Sequence, residues 1–77
     1  MLKELLAFMT KSLVEDAEAV EVTSEETDAE TVYHIKTADS DIGRVIGKQG
    51  RIIKAIRTVA KAAAVKEGTR VRVEIVE

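Results

Sequence analysis

The run Val45-Ile46-Gly47-Lys48-Gln49-Gly50-Arg51-Ile52-Ile53 constrains the fold of this chain more than any other segment. Apolar residues recur at helical spacing on both sides of it, and two glycines inside it break the helix. Upstream, Ile42, Val45 and Ile46 fall at i, i+3, i+4, with Asp39 or Ser40 placed to cap a short helix. Downstream, from about Arg51 to Lys66, a wheel at ~100° per residue gathers Ile52, Ile53, Ile56, Val59, Ala60 and Ala63 on one arc. Arg51, Lys54, Arg57, Thr58 and Lys61 fill the opposite arc. Two helices must therefore meet at a tight glycine turn. Gly47 and Gly50 permit positive φ and carry no Cβ, so the tip of the turn can approach another backbone closely. Taken alone, two glycines three apart also describe an ordinary helix–helix turn.

The rest of the chain supplies the partners for these helices. Leu2, Leu5, Leu6, Met9 and Leu13 form one stripe of an amphipathic helix over residues 2–16. Ala19–Thr23 alternates as a strand with Val20 and Val22 inward, and residues 24–30 read as an acidic connection. Thr31–Thr37 is β-branched and aromatic enough for a second strand, with Tyr33 and Ile35 inward and His34 and Lys36 outward. Phe8 and Tyr33, the only aromatic residues, both fit core positions. Gly68 stops the long helix, and Arg70–Ile75 alternates strictly as a last strand. The order is α-β-β-α-α-β. Strands too few to close a barrel must be covered on one face by the helices, which makes a two-layer α+β fold occupying residues 1–77 as one domain.

Composition narrows the chemistry. With 77 residues there is room for one small core and little else. The absence of Cys rules out disulfides and thiolate metal sites. The longest apolar run, Leu5–Met9, is far short of the ~20 residues that span a bilayer. The start lacks the basic and apolar regions of a signal peptide, so a cytoplasmic location and no membrane partner are expected. Catalytic motifs fail one by one. Gly43–Gln49 approaches a P-loop but lacks one spacer residue and the Ser or Thr after Lys48 that would hold magnesium. Asp39-Ser40-Asp41 opens like a calcium loop, but its later ligand positions are Gly43 and Gly50. His34 is the only imidazole and sits mid-strand, and no serine has a nucleophile-elbow context. No enzyme, metal, cofactor or small-molecule substrate is expected.

Charge is unevenly spread. Residues 1–42 carry three bases against eleven acids, and residues 43–77 carry nine bases against three acids, giving the net −2. Such asymmetry points to a polyanionic partner, unless folding interleaves the two halves and the charges cancel. The glycine turn is where the polyanion reading becomes specific. A helix begins there, with unpaired N–H groups and the positive end of its macrodipole. Lys48 adds a mobile charge at the tip, and Arg51 a planar fork suited to phosphate.

At these residues the chain resembles the KH domain family of single-stranded nucleic-acid binders, and its element order is similar to the type II arrangement. The resemblance spans essentially the whole chain. It implies a three-stranded mixed sheet with helices packed on one face, and a Gly47-Lys48-Gln49-Gly50 loop that clamps the backbone of about four nucleotides. Bases would lie in a groove between the helices around that loop and an adjacent strand. Arg44 and Lys54 flank the motif and would reach neighbouring phosphates. For small stand-alone bacterial members the resemblance further implies RNA chaperone or post-transcriptional regulatory activity and a link to cell elongation and cell-wall synthesis. It also implies association with a larger Jag-type KH protein; a homodimer is a further expected arrangement, on grounds of avidity. Single-stranded RNA is thus the expected partner, bound with low sequence specificity.

Two further readings start from the same residues. Two helices joined by a short glycine turn also describe a DNA-binding helix-turn-helix, although the start of helix 51–66 offers Arg51 and Lys54 and then mainly apolar side chains. A protein-interaction or dimerisation module is compatible with RNA binding, because a second copy supplies a second loop.

Overall fold

The computed structural model describes residues 1–77. Helix α1 spans Leu2–Leu13, strand β1 Glu21–Glu26, strand β2 Thr31–Lys36, helix α2 Ile42–Ile46, helix α3 Arg51–Glu67 and strand β3 Val71–Ile75. Short 3-10 turns at Ala17–Ala19, Asp39–Asp41 and Lys48–Gly50 join them. The sheet order is β1-β2-β3, with β1 antiparallel to β2 and β2 parallel to β3. The parallel pairing follows from the α2–α3 crossover, because a helical connection returns the chain to the same end of the sheet. This is the expected α+β layering.

The core lies between the sheet and the helices. Leu2, Leu6, Ile35, Val45, Ile53, Ile56, Ala60 and Val73 form one buried cluster. Tyr33, Val71 and Ile75 pack against it from the sheet. Each fully buried aliphatic side chain here contributes roughly 1.5–3 kcal/mol of transfer free energy. Gly68 ends α3 in the left-handed conformation at φ 73°, and its N–H caps the carbonyls of Ala64 and Val65.

Several expectations need correcting. Helix α1 stops at Leu13, where Val14 turns extended, rather than running to residue 16. Its buried face is Leu2, Leu6 and Thr10, the last donating its hydroxyl to the Leu6 carbonyl at 2.8 Å. Phe8, expected inside, is 70% exposed. Strand β1 starts and ends later than expected, because Ala19 belongs to a 3-10 turn and Ser24, Glu25 and Glu26 pair with Tyr33, Val32 and Thr31. Only the residues from Thr27 to Glu30 form the connection, stapled by the Thr27 hydroxyl donating to the Glu30 carbonyl at 2.9 Å. On β2, Ile35 is fully buried as expected, but Val32 on the other face is also buried, at 3% exposure. Its register neighbours Glu25 and Arg72, and the Arg72–Glu30 pair, account for that cover. On α3 the apolar arc is wider than the buried one, which leaves Val59 41% exposed.

Candidate nucleic-acid interface

The loop from Gly47 to Gly50 is held in backbone states that few residues adopt. Gly47 sits at φ 78°, ψ 171°, Gly50 at φ 74°, ψ 16° and Gln49 at φ 59°, ψ 23°. Gln49 is the one non-glycine residue with positive φ in the chain. The two glycines answer the sequence expectation; the left-handed Gln49 had no sequence signal. Gly47 closes α2 by donating its N–H to the Gly43 carbonyl at 2.9 Å, and the Gly50 N–H returns to the Gly47 carbonyl at 3.1 Å. The result is a tight turn whose tip, Lys48 and Gln49, faces solvent.

The basic residues around the loop divide into two groups. Arg51 opens α3 and is exposed, with its guanidinium donating to Gln49 Oε1 at 3.3 Å. Lys54 lies exposed on the next turn. Neither Lys48, Arg51 nor Lys54 takes part in an ion pair with a carboxylate. Arg44 is different. Its Nη2 lies 2.6 Å from Glu15 Oε1 and its Nε donates to Asp41 Oδ1 at 3.1 Å. The expected reach of Arg44 to neighbouring phosphates therefore meets a guanidinium already engaged within the protein.

Asp41 explains that engagement, and sequence reasoning missed it. Asp41 stands before α2, yet its carboxylate caps nothing there. Its two oxygens instead accept the backbone N–H groups of Glu15 and Asp16, each at 3.1 Å. The side chain is buried, and these two bonds, with Arg44 beside them, hold its carboxyl below the usual aspartate range. A carboxylate ahead of α2 thus ties the segment after α1 to the helix that carries the glycine loop. The only sequence signal was an Asp-Ser-Asp cluster, which fits local capping equally well.

Helix α3 has two unlike flanks. Toward α1 it borders an apolar groove of about 410 Å³ lined by Phe8, Met9, Leu13, Ile52, Ala55 and Val59 among others. Toward β3 it carries Arg57 and Lys61, and Arg57 Nε donates to the Val73 carbonyl at 3.0 Å. Folding cancels only part of the charge asymmetry. Arg44, Arg57 and Arg72 find carboxylates, whereas Lys48, Arg51, Lys54, Lys61, Lys66 and Arg70 do not.

A mixed β1-β2-β3 sheet under three helices, in the order α-β-β-α-α-β with a two-glycine turn between the second and third, is a type II KH fold. A family model described as KhpA/KhpB, KH domain, matches residues 3–75, and the chain belongs to that family. It is 52% identical over 75 residues to the RNA-binding protein KhpA of Clostridium acetobutylicum, covering 97% of this chain and all of that one. Identity to the RNA-binding protein KhpA of Listeria monocytogenes is 46% over 76 residues, covering 99% of this chain and all of the relative. A more distant relative of the same name, from Borreliella burgdorferi, is 39% identical over 74 residues, or 96% of this chain and 90% of the relative. Among solved structures, Era in complex with MgGDPNP and a segment of 16S ribosomal RNA shares the fold at a TM-score of 0.72 and 19% identity. That match takes in 96% of this chain but only 28% of the Era chain. A structure of Aquifex aeolicus Era matches likewise, with a TM-score of 0.69 and 20% identity over 29% of its length.

Proposed function

We propose that this chain binds single-stranded RNA, with low sequence specificity, through the loop Gly47-Lys48-Gln49-Gly50. The observation that carries the reading is the loop itself. Its positive-φ backbone presents an exposed Lys48 at the tip and feeds directly into a helix that starts with the exposed Arg51 and Lys54. Backbone donors at a helix start, a point charge and a planar fork within one turn suit successive phosphates. The relatives named as RNA-binding proteins support the same reading. The residues assigned to the strand are Gly47, Lys48, Gln49, Gly50, Arg51 and Lys54. In this reading Arg44 acts from behind, on the placement of α2. The module is a binder rather than a catalyst, and it works in the cytoplasm as an RNA chaperone or post-transcriptional regulator. A link to cell elongation and the cell wall rests on the family resemblance alone.

Exchanging Lys48 and Gln49 together for Asp tests the loop. Both side chains are exposed, and Asp tolerates the left-handed backbone at position 49 better than most residues. The expected result is at least a tenfold loss of affinity for a short oligoribonucleotide, with circular dichroism and melting temperature near wild type. A folded variant that binds as wild type does would overturn the reading. Preference for duplex DNA over single strands would favour the helix-turn-helix alternative instead.

A second reading, compatible with the first, is favoured by the apolar groove between α1 and α3. Phe8 at 70% and Val59 at 41% exposure are large side chains that a partner would cover. The partner is a second copy of this chain or a larger KH protein of the Jag type. Either supplies a second RNA-binding loop to a module that has one.

A further inference from the structure

The two edges of the sheet are not alike. On β3, Arg57 Nε donates to the Val73 carbonyl at 3.0 Å, so a side chain already occupies part of that edge. On β1, nothing does. Outside its ladder with β2, no backbone hydrogen bond reaches residues 21–26. The ladder runs without a bulge from Glu21 opposite Lys36 to Glu26 opposite Thr31. The Thr27 N–H donates to the Glu30 carbonyl at 2.8 Å in the same register, so Glu25, Thr23 and Glu21 turn their backbone groups toward β2. Val22, Ser24 and Glu26 therefore present their N–H and C=O groups outward. Exposed edges are normally protected by brevity, a bulge, proline, lysine or a covering segment. β1 has six residues, with no bulge, no proline and no base. Its one safeguard is negative charge.

The sign of that charge selects a partner. Between Lys11 and Lys36 the chain holds eight acids and no Lys or Arg. Glu21, Glu25 and Glu26 are exposed, and none of them takes part in an ion pair. Glu21 and Glu25 share one face of the sheet and Glu26 lies on the other, so an added strand meets carboxylates on both. A second copy pairing through β1 would set two acidic strands side by side, and like charges across a strand pair are destabilising. RNA is repelled for the same reason. An extended segment rich in Lys answers the outward backbone groups and the unpaired glutamates together.

We propose that the free edge of β1 is a docking site for a Lys-rich extended polypeptide segment, which joins the sheet as a fourth strand through the backbone of Val22, Ser24 and Glu26. The site is independent of the glycine loop and lies at the sheet edge opposite β3. The test uses the full chain and a short fluorescein-labelled peptide of alternating Lys and Thr, read by anisotropy at low salt. A second peptide of the same sequence and charge is N-methylated throughout and has no backbone donors. Ser24→Pro removes one outward N–H and no ladder bond, and edge strands tolerate proline at such a position. Wild type is expected to bind the unmodified peptide about tenfold more tightly than the methylated one, the size of one or two net main-chain hydrogen bonds. Ser24→Pro should lose a similar factor while its circular dichroism and its affinity for oligouridylate stay as in wild type. Glu21→Gln with Glu25→Gln should also weaken the peptide complex. No binding by wild type, equal binding of the two peptides, or a Ser24→Pro variant that binds as wild type does would overturn the proposal. Should Ser24→Pro fail to fold, the comparison of the two peptides on wild type decides alone. Self-association of wild type that Ser24→Pro abolishes would assign the edge to a second copy and likewise overturn it.

Discussion

Gly47 and Gly50 look alike in the sequence and do different work in the structure. A Cβ on Gly47 would lie 2.6 Å from Ile52 Cγ1 and 2.9 Å from the Ile52 backbone nitrogen. Its φ of 78° with ψ of 171° is also a region essentially closed to other residues. A Cβ on Gly50 meets nothing within 4 Å, and its φ of 74° is left-handed but accessible. Gly47→Ala is therefore expected to destabilise by about 2–5 kcal/mol, strain and overpacking together. Gly50→Ala should cost about 1–2 kcal/mol. Thermal melting distinguishes them, since each kcal/mol moves the midpoint by roughly 4–8 °C at this size. Equal melting temperatures would contradict the assignment of close packing to Gly47 alone. Asp41 makes a second residue-level prediction. Its folded-state pKa lies below the ordinary value, so its carboxylate stabilises the fold fully above the usual aspartate range near ~3.9. That contribution fades as pH falls below this range through the lowered value. Asp41→Asn should lower the melting temperature at neutral pH, and the gap from wild type should narrow toward pH 3. A gap that does not narrow with acid would argue against the ionised form as the bond acceptor.

At the scale of elements, periodicity made the helices legible and polarity hid the strand. Leu2, Leu6, Ile53, Ile56 and Ala60 repeat at helical spacing because one face of each helix must be buried, and all five are buried. Ser24, Glu25 and Glu26 read as a loop because an exposed edge strand has no apolar side to betray it. Their pairing with β2 is a backbone matter. The Asp41 clasp was hidden for a related reason: its partners, Glu15 and Asp16, contribute only their N–H groups. The glycine loop could be read in full, apart from the left-handed Gln49. The clasp has a consequence for binding. Arg44 is tied to Glu15 and Asp41 while Lys54 is unpaired, so the two flanking bases should act differently on RNA. Lys54→Gln is expected to reduce the salt slope of RNA affinity by about 0.7, the loss of one single-strand phosphate contact. Arg44→Gln should leave the slope unchanged and weaken binding by a salt-independent factor through the looser seat of α2. Equal drops in slope would return Arg44 to the phosphate-binding set.

For the whole molecule, the two flanks of α3 set what can happen at once. The Arg57–Lys61 flank faces β3, and the Phe8–Val59 groove, which Arg51 also lines, lies on the flank toward α1. A partner seated on the apolar groove therefore leaves the basic flank open. A single loop that makes few phosphate contacts is expected to bind weakly, with a shallow dependence on salt. A second copy seated on the apolar band, one of the proposed partners, would cover Phe8 and Val59 and bring a second loop to the same strand, which offsets weak binding by one loop. Val59→Asp tests this without burying a charge in the monomer, because the side chain is 41% exposed and lies outside the buried cluster. Sedimentation should show the wild type associating as concentration rises and Val59→Asp remaining a monomer with an unchanged circular dichroism spectrum. The same variant should bind a long single strand at least tenfold more weakly than wild type, since linking two sites raises avidity by ~10² or more. Its affinity for an oligonucleotide too short to reach two loops should match wild type. Equal loss on short and long strands would mean that Val59 acts on the loop itself, and a wild type that sediments as a monomer at every concentration would leave the apolar band to a different partner.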